Sequence, residues 1–181
     1  SMSALLDIHN LQLIDVLTSL VHGGSIIFIA AHKSINNRIS ESVLQHLTNE
    51  EIILNSIAIK NFSNKTLEIK AHLKMLITEL KLENKTIYTY GATAKGNTLL
   101  NFVGITQREI QFCVDNTKIK HGKFLPKSKI KIISEEEGLD NPTDYFLLTA
   151  WNYQDEIIKK VRSAGNKHSK FIVPFPSVHI V

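Results

Sequence analysis

One lysine among small residues carries the first hint of chemistry: Gly91-Ala92-Thr93-Ala94-Lys95-Gly96-Asn97-Thr98. Thr86 to Tyr90 before it are β-branched or aromatic at nearly every position, the composition of a strand. Leu99, Leu100, Phe102 and Val103 after it fall at helical spacing. A turn between strand and helix aims backbone N–H groups and the positive end of the helix dipole at whatever lies in front of it, which favours anions. The stretch therefore predicts a phosphate-binding turn.

Three chemistries compete for this turn. In a Walker A loop the lysine follows the second glycine, whereas here Lys95 precedes Gly96 and Asn97 stands at the lysine position. Nucleotide hydrolysis is thereby disfavoured. A dinucleotide fingerprint reads Gly-x-Gly-x-x-Gly, and Thr93 occupies the middle glycine, which weakens an NAD(P)-binding reading. Asp115, at the end of the next apolar run, is placed to accept ribose or sugar hydroxyls. The third possibility is a tight turn with no ligand, inside a non-catalytic interaction module.

The flanking elements set the frame for these residues. Ser3 to Asn10 read as a short helix, and Leu11 to Leu17 and Ile26 to Ala30 as two strands of a hairpin that needs a sheet to join. Helices are predicted over 40–51, with Ser40 as N-cap, and over 64–83, with Leu67, Ile69, Leu73, Leu76, Ile77 and Leu80 on the apolar side. From residue 86 strands and helices alternate: strands at 86–90, 110–114, 129–133, 144–150 and 170–173, an edge strand at 178–181, and helices opening at Ser134 and Asn152. The fold class is α/β, a Rossmann-like, mostly parallel sheet with helices on both faces, preceded by a β-hairpin and a helical segment. The strand ends collect the unusual polar and aromatic residues: Gly91 to Thr98, Asp115-Asn116, Trp151-Asn152 and Pro174 to Ser177. In such sheets ligands bind beyond those ends.

Bulk properties narrow the class. Net charge is +4 and the lysines are scattered, so no basic face predicts nucleic acid as a partner. Apolar runs are too short to span a membrane, no signal peptide is expected, and the cytoplasm is the default. The single cysteine, Cys113, sits in an apolar run and reads as core; one cysteine makes neither an internal disulfide nor a multi-cysteine zinc site, and no metal site is expected. His22, in the turn Val21-His22-Gly23-Gly24-Ser25, is either a solvated loop residue or a group able to orient a hydroxyl or move a proton. Trp151 and Asn152 either cap a helix or offer a flat face and an amide to a sugar or base.

Taken together, Tyr90-Gly-Ala-Thr-Ala-Lys-Gly-Asn-Thr-Leu-Leu-Asn101, Asp115-Asn116, His121-Gly-Lys-Phe-Leu-Pro126, Leu148-Thr-Ala-Trp-Asn152 and Phe171-Ile-Val-Pro-Phe-Pro176 resemble the C-terminal domain of sugar C-methyltransferases. The resemblance covers about residues 60–181, and residues 11–31 look like the closing hairpin of that family's central domain. It implies a division into 1–33, a remnant of the central methyltransferase domain, 34–85, a helical connector, and 86–181, the Rossmann-like domain.

It further implies S-adenosylmethionine-dependent methylation of a nucleotide-linked 4-keto-deoxysugar at C3, through an enolate formed by proton removal. The nucleotide sugar is the implied partner, along with an N-terminal zinc-binding segment and a central S-adenosylmethionine-binding domain. Neither is recognisable in this sequence, which reads as a fragment, inactive alone and binding no cofactor itself. On this resemblance His22 is the candidate contributor to catalysis. Lys95, Asn97 and Thr98 would hold the diphosphate, Asp115 a hydroxyl, and Trp151 and Asn152 would line the cleft with Tyr90, Gly91 and Gly96.

Overall fold

The computed structural model describes residues 2–21, 24–141 and 143–181. The chain forms two compact units, Ser1–Ser63 and Asn64–Val181.

In the first unit a short helix, α1 (Met2–Ile8), leads into β1 (Leu11–Ser19), which pairs antiparallel with β2 (Ser25–His32). The register shifts between Leu13 and Asp15, a bulge that lets Leu13 and Val16 both turn inward. These two meet Val43 of α2 (Glu41–Ile53), with Leu6 packed alongside. Ser40 caps α2 as its sequence predicts, accepting from the Ser42 N–H, while the Ser42 hydroxyl donates to Asp15 at 2.6 Å. The core is small, and β2 leaves Ile26, Ile27, Phe28 and Ile29 exposed in succession.

Helix α3 runs over Ser56–Leu82, beginning eight residues before its predicted start at Asn64. The missed signal is Asn55, whose Oδ1 accepts from the Ala58 N–H at 2.8 Å and so satisfies an orphan donor of the first turn. Leu73, Ile77 and Leu80 are buried as the spacing predicts, whereas Leu67 is exposed.

The second unit is built on a six-stranded sheet of β3 (Ile87–Tyr90), β4 (Phe112–Val114), β5 (Lys131–Ile133), β6 (Tyr145–Leu148), β7 (Lys170–Val173) and β8 (His179–Ile180). Its spatial order is β5-β4-β3-β6-β7-β8, all parallel except the antiparallel edge strand β8. Alternation along the central strands divides their side chains between two cores. Ile87, Leu147 and Ile172 join Leu73, Ile77 and Leu80 of α3 and Leu99, Leu100 and Val103 of α4 (Ala94–Val103). Tyr88, Tyr90, Phe146, Leu148, Phe171 and Val173 join Ile157 and Val161 of α6 (Gln154–Ser163), on the face also covered by α5 (Glu135–Asp140). Helices thus cover both faces of the sheet.

The strands predicted at 110–114 and 144–150 are shorter, Phe112–Val114 and Tyr145–Leu148, and two further boundaries differ from the periodicity for local reasons. The third strand of this sheet starts at Lys131, because Lys129 has a positive φ of 58° and cannot lie in a strand. The helix predicted from Asn152 is preceded by a 3₁₀ turn, Trp151–Tyr153, so Asn152 does not cap α6.

Candidate functional site

Within the second unit, counting from β3, the strand order is 3-2-1-4-5-6, and its direction reverses between β3 and β6. The crevice beyond the carboxyl ends of those two strands is where doubly wound sheets bind ligands. Here the chain leaves β3 through Gly91, whose φ of +105° suits glycine, and a Cβ on it would lie 2.6 Å from the Ala150 Cβ. The buried Thr149 hydroxyl lies 2.9 Å from the carbonyl of Tyr90 and 2.7 Å from that of Gly91, tying the two strand ends together. Thr93 caps α4: its hydroxyl accepts from the Gly96 N–H and donates to the Thr149 carbonyl, both at 2.9 Å. Gly96 is buried where a Cβ would sit 2.5 Å from the Thr149 Cβ, so this glycine serves close helix-to-strand packing.

A cleft of about 320 Å³ opens beyond these ends. Tyr90, Gly91, Thr93, Asp115, Asn116, Thr117 and Lys120 line it together with Glu135, Tyr153, Glu156 and Lys160. Its charges are mostly arranged in pairs. The Asp115 carboxylate accepts from the Ala92 N–H at 2.7 Å through Oδ2 and from the Thr117 N–H at 2.8 Å through Oδ1. Lys120 Nζ lies 3.2 Å from each oxygen and also donates to the Ala92 carbonyl at 3.0 Å. Burial acts to raise the Asp115 pKa, but the hydrogen bonds from Thr117, Ala92 and Lys120 together hold it below the ordinary carboxylate value. His121 Nε2 donates to the Asp115 carbonyl at 2.7 Å, fixing the loop that carries Lys120.

Elsewhere in the lining the Tyr90 hydroxyl donates to Glu135 Oε1 at 2.7 Å, and Glu135 Oε2 accepts from Lys160 at 2.5 Å. Burial first, and then the bond to Glu135 and its charge, push the Tyr90 pKa well above that of a free phenol, so Tyr90 is a fixed hydroxyl rather than a base.

The structure brings Tyr90, Gly91 and Asp115 into this cleft. Lys95 and Thr98 are exposed on α4 and do not line it; the Thr98 hydroxyl donates back to the Ala94 carbonyl at 3.0 Å. Asn97 is half-buried, with a buried Oδ1 that meets no hydrogen-bond donor. Trp151 and Asn152 line an adjoining depression at the start of α6, where Trp151 packs on Phe175 with ring centroids 4.7 Å apart. His22 lies outside the described residues. Cys113 is fully buried, and burial pushes its thiol up to about 12, as befits a core residue.

Sequence reasoning missed Lys120, Glu135, Glu156 and Lys160. Glu135 carried a signal, the Ser134 N-cap that sets it at the start of α5. Lys120 carried none, because its 3₁₀ turn, Lys118–Lys120, has no periodicity to read. Among the described residues no group of three or more His, Cys, Asp or Glu could hold a metal ion. No described helix is long and apolar enough to cross a membrane.

The strand order and the cleft at its reversal define a doubly wound α/β domain of Rossmann topology. The chain belongs to the C-methyltransferase C-terminal domain family, whose model matches residues 20–176. It is 36% identical over 183 residues to C-methyltransferase NovU of Streptomyces niveus, a match covering all of this chain and 44% of that relative. The chain therefore spans less than half the length of that relative.

Proposed function

We propose that this chain is the nucleotide-sugar-binding part of an S-adenosylmethionine-dependent C-methyltransferase that acts on a nucleotide-linked 4-keto-deoxysugar at C3. The observation that carries this reading is the polar cleft at the strand-order reversal, in a chain of this family. The cleft offers hydroxyl, amide and carboxylate groups suited to a sugar or nucleoside, from Tyr90, Asn116, Tyr153 and Glu156. Lys95, in the exposed first turn of α4, supplies a cation where a helix N-terminus already favours a diphosphate. Asn97 and Thr98 belong to the same binding segment, and Trp151 and Asn152 extend the cleft toward Phe175 in this reading.

The methyl donor does not fit the described residues. The acidic strand-end residue that would take its ribose hydroxyls is Asp115, and both carboxylate oxygens of Asp115 are already engaged. Donor binding and proton removal at C3 therefore belong to other parts of the full-length protein, with His22 as this chain's candidate contributor. In the same reading residues 1–33 complete the central methyltransferase domain, 34–85 connect it, and 86–181 bind the substrate. The succession of exposed apolar residues on β2 supports a neighbouring sheet for that hairpin, since an isolated two-stranded ribbon is marginal in water.

Calorimetric titration of the folded chain with nucleoside diphosphates and nucleotide sugars tests the reading. Saturable binding is expected, and it should weaken in Lys95→Ala. Absence of binding to the folded chain at millimolar ligand would overturn a pre-formed substrate site.

A further inference from the structure

A Rossmann crevice ordinarily takes an adenosine-type dinucleotide by placing two ribose hydroxyls on the acidic residue that ends its second strand. This chain keeps the strand order, the turn glycine Gly91 and the acidic residue Asp115. What differs is the state of the acid. A carboxylate offers about four acceptor positions, and four contacts already occupy them: the N–H groups of Ala92 and Thr117, and Lys120 Nζ at 3.2 Å from each oxygen.

An ammonium group has three protons. Lys120 Nζ directs them at Oδ1, Oδ2 and the Ala92 carbonyl, so its own donors are used within the turn. The Lys120 side chain is 36% exposed while that of Asp115 is 6% exposed, so the lysine forms the cleft-side cover of the acid. His121, through its bond to the Asp115 carbonyl, holds the loop beneath it. A ribose hydroxyl can reach Asp115 only by displacing a cation from a mostly buried anion.

We propose that Lys120 is a specificity-determining residue, an internal clamp that closes the ribose-binding acid of this Rossmann crevice and so excludes adenosine dinucleotides from the cleft. Lys120 acts through position and charge and takes no part in a reaction. The clamp spans Gly91–Thr93 and Asp115–Thr117, so it also fixes the shape of the turn that faces the diphosphate. Recognition of a nucleoside is thereby left to other lining residues of the cleft, among them Tyr153 and Glu156.

This inference rests on the cleft being the ligand site proposed above, and the test separates the two. ADP-ribose and NADH are titrated against the wild-type chain and against Lys120→Met, with circular dichroism confirming the fold. In wild type neither is expected to bind through Asp115, so Asp115→Asn should leave the affinity for both unchanged. K120M is expected to bind ADP-ribose at least about tenfold more tightly than wild type, the worth of one hydrogen bond to a charged acceptor. The gain should vanish in K120M combined with Asp115→Asn. Wild-type binding of ADP-ribose that Asp115→Asn abolishes, or a folded K120M that gains nothing, would overturn the clamp. If K120M fails to fold, Lys120→Gln, which retains a donor for the Ala92 carbonyl, carries the same comparison. A wild-type chain that binds no nucleoside diphosphate at all would instead sink the substrate-site reading, leaving the ADP-ribose comparison to decide the role of Lys120.

Discussion

The Tyr90 hydroxyl donates to Glu135 Oε1 at 2.7 Å, across 45 residues of sequence. Tyr90 ends the first strand of the sheet and Glu135 begins α5, so the bond ties a strand end to a helix start. Lys160 of α6 takes the other oxygen of Glu135, and three elements thereby share one carboxylate at the mouth of the cleft.

Removing that hydroxyl leaves a partly buried carboxylate one donor short. Tyr90→Phe should destabilise the fold by about 1–2 kcal/mol, the range for a hydrogen bond to a charged group with partial solvent access. Urea denaturation, read as a lowered midpoint at constant slope, checks it. An unchanged midpoint would show that water replaces the phenol without loss.

Gly96 makes a sharper stability prediction than its place in a glycine-poor motif would suggest. A Cβ there meets the Thr149 Cβ at 2.5 Å and the Thr149 carbonyl oxygen at 2.9 Å, neither of which is the end of a flexible chain. Gly96→Ala should cost about 1–3 kcal/mol through overpacking, despite alanine's better helix propensity. Gly122→Ala is the control: its site is open, and only the φ of +76° opposes a side chain, so a loss of about 1–2 kcal/mol from backbone strain alone is expected there.

Acid should weaken the second unit through its strand-end carboxylates. Asp115 has a folded pKa below its unfolded value of about 3.9. Its ionised form is therefore favoured by folding. The stabilisation is complete above the unfolded pKa and disappears as pH falls through the lower, folded one. Asp144, which accepts from the N–H and hydroxyl of Thr86 at 2.8 Å, and Glu109, which pairs with Lys74 at 3.0 Å, shift in the same direction. Denaturation midpoints should be flat from neutrality to about pH 5 and fall below about pH 4. The fall should be shallower in Asp144→Asn, because one proton-linked group has been removed.

Lys95 separates binding from folding. It is exposed on α4, so Lys95→Ala should alter stability by less than about 0.5 kcal/mol. In the proposed reading it should weaken nucleoside diphosphate binding several-fold, and the salt dependence of the remaining affinity should be smaller. Equal affinities for wild type and variant in calorimetry would remove the diphosphate role from this residue.

Local signals in the chain are enough to set the class of sheet and the place of the turn. Strand and helix periodicities from residue 86 onward, the Gly91 punctuation and the caps at Ser40 and Ser134 are local signals, set by backbone sterics and nearest-turn hydrogen bonds, and the structure has them. Asn55 was equally local, yet it lay outside the periodic stretch and left the start of α3 eight residues late. The long-range packing, by contrast, set which side chains share the cleft. Lys120 meets Asp115 because a non-periodic turn folds back under β4, and Glu135 meets Tyr90 and Lys160 because α5 and α6 cover one face of the sheet. It also decided that Asp115 is an occupied acceptor rather than an open one. Occupancy depends on donors brought in by the Ala92 turn and the Lys120 loop, and charge pairing between such distant segments leaves no spacing in the chain to read.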